Sequence, residues 1–213
     1  MRSVLCYGDS NTYGQTDADT PDARFGPSER WPGVMRDRLG NDWLVIEEGL
    51  SGRTTVEDDP IEGAERNGRR YLRPCVLSHK PLDLVILMLG TNDLKRRFNK
   101  SPAEIGWGVR ALIWDIRDLP AGHDGRMPEV LLVAPPPIQA ELGDWADVFE
   151  GGYEKSLALA DVFERVAEAE EVHFFDAGTV VDTGGGDGFH LDRAAHRRLG
   201  MAISQEVESI GWV

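Results

Sequence analysis

The chain has 213 residues, 41% of them hydrophobic, which is enough for one domain with a complete core. A formal net charge of −14 argues against a surface that binds nucleic acid or an anionic membrane. Two cysteines are too few for a disulfide framework and fit a reducing cytoplasm. Without a signal-like apolar segment near Met1 or a membrane-length run, the chain is predicted to be cytoplasmic and not membrane-bound.

Predicted strands and helices alternate along the chain. The predicted strands cover residues 3–7, 43–47, 84–89, 130–133 and 172–175. The predicted helices cover residues 28–39, 69–79, 101–118, 153–169 and 192–209, with Ser28 as an N-cap and a capping box at Ser101. The alternation predicts a single α/β domain over residues 1–213. Its expected architecture is a three-layer α/β/α sandwich with a five-stranded parallel sheet in the flavodoxin-like order 2-1-3-4-5.

The least regular stretches, residues 15–27, 49–60 and 138–152, are expected to rim the carboxyl edge of this sheet. Trp145 and Phe149 lie in the third stretch. Their pattern leaves open a pocket wall, a subunit contact or plain packing.

Chemically competent residues follow the predicted strands. Ser10 follows the first strand, and Asp187 and His190 follow the fifth. Serine hydrolysis needs a nucleophile, a base that takes its proton and a group that orients the base. We therefore predict Ser10 as nucleophile, His190 as base and Asp187 as its orienting partner.

An oxyanion hole is predicted from the backbone N–H groups of Ser10 and Gly52 and the side-chain amide of Asn92. Glycine suits a place where backbone approaches substrate closely. Asp9 and Asp93 are interpreted as structural residues of their turns.

Four motifs occur in order along nearly the whole chain. They are Gly8-Asp9-Ser10, Gly52, Gly90-Thr91-Asn92-Asp93 and Asp187-Gly188-Phe189-His190. In this the chain resembles the SGNH hydrolases, also called the GDSL family of esterases and lipases. One departure is Asn11, which stands where the family's name motif has Leu. That position is not catalytic in the family and is interpreted as bearing on the pocket.

The stretches at residues 47–55, 88–93, 135–137 and 149–152 look like the arylesterase and acyltransferase branch. The resemblance implies a serine esterase that acts on small short-chain aryl or alkyl esters through an acyl-serine intermediate. It also implies a homo-oligomer, and acyl transfer to alcohols in some members. A carbohydrate O-acetyl esterase using the same triad is the alternative, and a catalytically idle binding module is a third, weaker hypothesis.

Other functions are not favoured by the sequence. The P-loop spacing fails between Gly8 and Gly14, and the Gly-x-Ser-x-Gly motif of α/β-hydrolases is absent. The remaining histidines show no metal-ligand spacing, so no metal and no cofactor are expected. Two basic clusters are interpreted as solvated surface. They are Arg66, Arg69, Arg70 and Arg73, and Lys95, Arg96 and Arg97.

Overall fold

Five parallel strands form one sheet at the centre of the molecule. The structure, a computed structural model, describes residues 1–16 and 23–212. The strands are β1 Arg2–Gly8, β2 Trp43–Gly49, β3 Leu84–Met88, β4 Glu129–Ala134 and β5 His173–Asp176. They pair in the order β2-β1-β3-β4-β5, and every pairing is parallel. The predicted fold class and strand order are confirmed.

Helices cover both faces of the sheet. They are α1 Ser10–Tyr13, α2 Trp31–Leu39, α3 Gly68–His79, α4 Pro102–Arg117, α5 Gly152–Ser156, α6 Leu159–Glu170 and α7 Arg193–Ser209. No helix of the described residues is long and apolar enough to cross a membrane. The capping box at Ser101 is present, because its side chain bonds the Glu104 N–H while the Glu104 carboxylate bonds back to the Ser101 N–H.

Two of the predicted helices have the wrong boundaries. Helix α2 begins at Trp31 with Arg30 as its cap, so Ser28 is not the N-cap. Pro32 has no backbone N–H to donate to a preceding helical turn, so it is suited to the first turn of a helix. The helix expected over residues 153–169 is two helices. At the break the Ala158 N–H bonds the Lys155 carbonyl at 3.1 Å, three residues back instead of four, so the α-helical ladder is interrupted. Helix α1 was not predicted.

Two hydrophobic cores lie on opposite faces of the sheet, because successive strand side chains point in opposite directions. In β1, Leu5 and Tyr7 contribute to one core, which α3, α4 and α6 cover. Val4 and Cys6 contribute to the other, which α2 and α7 cover. With both faces occupied by helices, the loops at the carboxyl ends of the strands remain for a binding site.

Candidate active site

Ser10 lies directly beyond the carboxyl end of β1, at the first residue of α1. Asp9 caps this helix, since its carboxylate accepts the Asn11 N–H at 3.0 Å. Burial raises the pKa of Asp9 to about 6 against the lowering effect of the Asn11 hydrogen bond and the His190 charge. The cap fixes the backbone around Ser10, as the prediction that Asp9 is a structural turn residue requires.

The Asp187 carboxylate holds together the loop that carries Asp187 and His190. Asp187 Oδ2 lies 2.6 Å from His190 Nδ1, and Oδ1 accepts the N–H groups of Phe189 and His190 at 3.1 and 2.9 Å. Burial opposes ionisation of Asp187, but the hydrogen bonds from His190 and Phe189 outweigh it and lower the pKa of this carboxyl. Gly188 has a φ of 80°, which only glycine adopts readily.

Ser10 and His190 line one pocket. No hydrogen bond joins the Ser10 hydroxyl to the His190 ring, although both are described residues. Such bonds are often long in unliganded enzymes and shorten when substrate binds. The position of the imidazole in the resting structure is therefore set by the groups that hold its loop, beginning with Asp187.

Gly52 and Asn92 line the same pocket as Ser10. Gly52 has a φ of 78°, and a Cβ there would overlap the Glu62 carboxylate. Among the described residues, no hydrogen bond uses the backbone N–H of Ser10 or of Gly52. Asn92 Nδ2 donates to Asp9 Oδ2 at 3.3 Å, which leaves its second hydrogen available. The structure thus brings three candidate donors to one cavity.

Asp93 joins the two loops that carry these donors. Its carboxylate accepts the Thr55 N–H at 2.9 Å and the Thr55 hydroxyl at 2.5 Å. Burial raises the pKa of Asp93 to about 7, although the Thr55 hydrogen bonds lower it. This contact braces the loop after β2 against the turn after β3, as predicted for Asp93.

The pocket encloses about 100 Å³ and has two unlike walls. Trp145, Phe149 and Phe189 form the aromatic wall, with ring centroids of Trp145 and Phe149 5.3 and 5.1 Å from Phe189. Trp145 and Phe149 therefore belong to the pocket wall, and Phe149 also packs into the hydrophobic core. The expectation that irregular loops rim the site holds for Gln15, Ser51 and residues 145 and 149, whereas residues 17–22 of the first loop lie outside the described residues.

The second wall is polar and comprises Gln15, Ser51, Glu62 and Lys95. Lys95 is 3% exposed, so the interpretation of its basic cluster as solvated surface was wrong at this position. Its ammonium and the Arg97 guanidinium both bind Glu62 Oε1, and buried Asp59 lies 3.9 Å from the ammonium. Burial lowers the pKa of Lys95, while its bond to Glu62 raises it. No motif in the sequence pointed to this network.

Comparison with known proteins agrees with this geometry. A profile of the GDSL-like Lipase/Acylhydrolase family matches residues 6–198. The chain belongs to this family. From its SGNH hydrolase motifs, Ser10, Gly52, Asn92, Phe189 and His190 line the pocket.

Several solved structures resemble the chain over nearly its whole length. An aryl esterase from M. smegmatis is 42% identical, with a TM-score of 0.94 over 99% of this chain and 100% of that one. Est24, a carbohydrate acetylesterase from Sinorhizobium meliloti, is 43% identical, with the same TM-score and coverage. A lipase/acylhydrolase from Enterococcus faecalis, at 22% identity and a TM-score of 0.71, covers 98% of this chain and 96% of its own and shares the fold. No curated protein matches the chain by sequence.

Asn11, the departure from the family's name motif, does not line the pocket. It is 2% exposed and its side chain bonds the backbone on either side of His190. The interpretation that this position bears on the pocket is therefore replaced by a contact with the histidine loop.

The other histidines lie apart from the pocket lining. His123 and His173 are exposed, and His196 is buried with a pKa lowered by burial to about 4. The remaining one, His79, meets Glu48 and Cys75 with ligand atoms within 4.8 Å of one another, a set that could hold a metal ion. His79 Nε2 lies 3.0 Å from Glu48, and burial raises the pKa of the Cys75 thiol to about 12. The expectation that the remaining histidines have no metal-ligand spacing was wrong for His79, because Cys75-x-x-x-His79 places both side chains on one face of α3.

Proposed function

We propose that the chain hydrolyses short-chain acyl esters of aryl or alkyl alcohols through an acyl-enzyme formed on Ser10. His190 takes the proton from the Ser10 hydroxyl as its oxygen attacks the ester carbonyl carbon. The same imidazole then gives this proton to the departing alkoxide, so that an alcohol or phenol leaves. Asp187 holds the other ring nitrogen and stabilises the imidazolium.

The second half of the reaction reverses these roles. His190 takes a proton from water, the resulting hydroxide attacks the acyl carbon, and Ser10 leaves with that proton as the acid is released. In both halves the carbonyl oxygen becomes an oxyanion. We assign its stabilisation to the backbone N–H groups of Ser10 and Gly52 and to the Asn92 amide.

The observation that carries this proposal is the convergence of Ser10, His190 and unpaired N–H donors in one small pocket. A volume of about 100 Å³ is below the roughly 300–1,000 Å³ typical of sites for drug-sized ligands, which favours a short acyl group. The similarity to an aryl esterase supports the same substrate class.

The test is turnover of p-nitrophenyl acetate by the wild type, Ser10→Ala and His190→Ala. Each substitution is expected to lower kcat by about 10³-fold or more, because nucleophile and base act as a unit. This ester also hydrolyses on many protein surfaces, so Ser51→Ala, another hydroxyl in the same pocket, serves as the matched control. Equal rates in the wild type and both triad variants would show that the activity arises elsewhere.

A carbohydrate O-acetyl ester is the second candidate substrate, and the polar wall favours it. The Lys95 and Arg97 bonds both use Glu62 Oε1, whereas Oε2 lies against Gly52 at the pocket. An acetyl group cannot donate a hydrogen bond to Glu62 Oε2, whereas a sugar hydroxyl beside the ester can. A carbohydrate acetylesterase among the similar structures agrees with this candidate.

Glu62→Gln tests the assignment of the polar wall. We expect kcat/KM for an acetylated sugar to fall by about 10-fold relative to that for p-nitrophenyl acetate, as for loss of one charge-assisted hydrogen bond. Glu150→Gln, which removes an exposed carboxylate paired with Arg96, is the control. An unchanged ratio between the two substrates would favour the aryl ester.

Three finer expectations remain proposals. We propose that the aromatic wall favours an alcohol over water, so that added alcohol diverts product from acid to ester. We also propose a homo-oligomer and a cytoplasmic location, which rest on family resemblance and on composition.

A further inference from the structure

Asn11 binds the backbone on both sides of His190. Its Nδ2 donates to the Phe189 carbonyl at 3.0 Å, and its Oδ1 accepts the Leu191 N–H at 2.9 Å. In a parallel sheet, one residue uses its N–H and its carbonyl to bond the residues before and after the residue that it faces. The Asn11 side-chain amide makes the same pair of bonds around His190. The side-chain amide therefore replaces a peptide group as the partner of the histidine segment.

The same residue is tied to the nucleophile. Asn11 follows Ser10 within α1, and its own N–H donates to Asp9 Oδ1 at 3.0 Å. With the side chain 2% exposed and its polar atoms bonded, the amide has one stable orientation. One residue thus connects the serine turn to a loop that is 178 positions away in the chain.

Other contacts hold the histidine loop at its earlier end. The Gly188 carbonyl accepts the Gln139 N–H at 2.7 Å and the Thr183 hydroxyl at 2.8 Å. These bonds fix the chain two residues before His190. The bonds from Asn11 flank His190 itself and originate beside Ser10.

We propose that Asn11 is a positioning residue that sets the placement of the His190 imidazole relative to Ser10. The inference rests on the proposed function. Ser10 and His190 are both described residues, and no hydrogen bond joins their side chains. The hydrogen bonds to the backbone around His190 therefore determine where its imidazole lies. Asn11 itself does not line the pocket, so its effect on turnover would be transmitted through the histidine loop that it binds.

The first test compares Asn11→Leu with the wild type on p-nitrophenyl acetate. Leucine has a similar size and occupies this position in the family's name motif, so it suits the fold while removing both bonds. We expect kcat to fall by about 10- to 10²-fold with KM unchanged, because a small misplacement of a catalytic group costs this much. Asn11→Asp retains an acceptor for Leu191 but sets an oxygen against the Phe189 carbonyl, and should lower kcat as well.

The second readout does not depend on turnover. The proton between His190 Nδ1 and Asp187 Oδ2 should give a downfield proton NMR resonance, since these atoms lie 2.6 Å apart. In Asn11→Leu the resonance should shift or broaden. Ser3→Ala is the matched control, because the Ser3 hydroxyl bonds the Pro81 carbonyl at 2.7 Å, near the amino end of β1 and away from the pocket.

The control also separates positioning from general loss of stability. Ser3→Ala should lower the melting temperature and leave kcat and the resonance unchanged. Wild-type kcat in Asn11→Leu would overturn the proposal, as would a fall in kcat that Ser3→Ala reproduces. An unchanged resonance in Asn11→Leu would overturn it even if Ser10→Ala had shown that the proposed function is wrong.

Discussion

At the scale of single residues, the proposed oxyanion donors include the backbone N–H groups of Ser10 and Gly52, which have no hydrogen-bond partner among the described residues. Asn92 is the only side chain among the three proposed oxyanion donors, so it can be removed without altering the backbone. The Asp9 carboxylate accepts one hydrogen of the Asn92 side-chain amide. The other hydrogen is free for the substrate.

Asn92→Ala is expected to lower kcat on p-nitrophenyl acetate by about 10²–10³-fold, the usual cost of one oxyanion donor. KM should change little, because the donor acts mainly on charge that develops in the transition state. Steady-state kinetics of the folded variant measures both. A loss that appears only in KM would contradict the assignment.

Gly52 is constrained by conformation and by space. Its φ of 78° is one that L side chains rarely adopt, and a Cβ there would lie 2.4 Å from Glu62 Oε2, which would have to move. Gly52→Ala should therefore displace the N–H at this position and lower kcat by about 10²-fold. Gly40→Ala is the control, because Gly40 also has a positive φ but a Cβ there meets no atom within 4 Å. Equal activity in both variants would exclude Gly52 from the oxyanion hole.

At the scale of elements, the ends of neighbouring strands are connected by buried side chains. Arg53, 2% exposed, donates to the Gly8 carbonyl at 2.8 Å and to the Glu48 carbonyl. Asp93 joins the following turns through Thr55. These contacts turn separate loops into one rigid edge.

The Asp93 brace predicts a pH dependence of stability. Its pKa is raised from 3.8 to about 7 by burial, so the folded state binds a proton more tightly than the unfolded state. The stabilisation is complete below pH 3.8 and is lost as pH rises toward 7. The free energy of unfolding of the wild type should therefore fall relative to Asp93→Asn across this window, by at most about 1.4 kcal/mol per pH unit.

Urea unfolding of the two proteins at pH 4, 5, 6 and 7 measures this difference. Asp58→Asn is the control, because Asp58 is an exposed carboxylate whose pKa is lowered. Its hydrogen bonds to Arg70 and Asn67 cause this lowering. A parallel pH dependence in the wild type and Asp93→Asn would show that folding does not raise the pKa of Asp93.

At the scale of the whole molecule, two cores share one sheet. Leu112 of α4 and Leu199 of α7 are both fully buried, on opposite faces. Each substitution by alanine should cost about 2–5 kcal/mol. The two costs should add, because the sheet separates the cavities. If the chain is one domain, as predicted, chemical denaturation will show a single transition in the double variant. Two separate transitions would show that the cores unfold independently.

The sequence determined the architecture because its signals are local and periodic. Apolar runs at β1, β3 and β4, with helices between them, are enough to predict a parallel sheet covered on both faces. The motif residues Ser10, Gly52, Asn92, Asp187 and His190 were found for the same reason, since each follows a strand and all carboxyl ends meet at one edge.

Tertiary packing determines which side chains complete the pocket and which hold its loops in place. Glu62 and Lys95 carry no motif of their own, and Asn11 holds the histidine loop from outside the pocket; each acts through partners far along the chain. Lysine and glutamate are usually exposed, so a charged run is read as surface unless a neighbouring loop buries it. Burial and hydrogen-bond partners come from how loops pack together, which no local pattern in the sequence specifies.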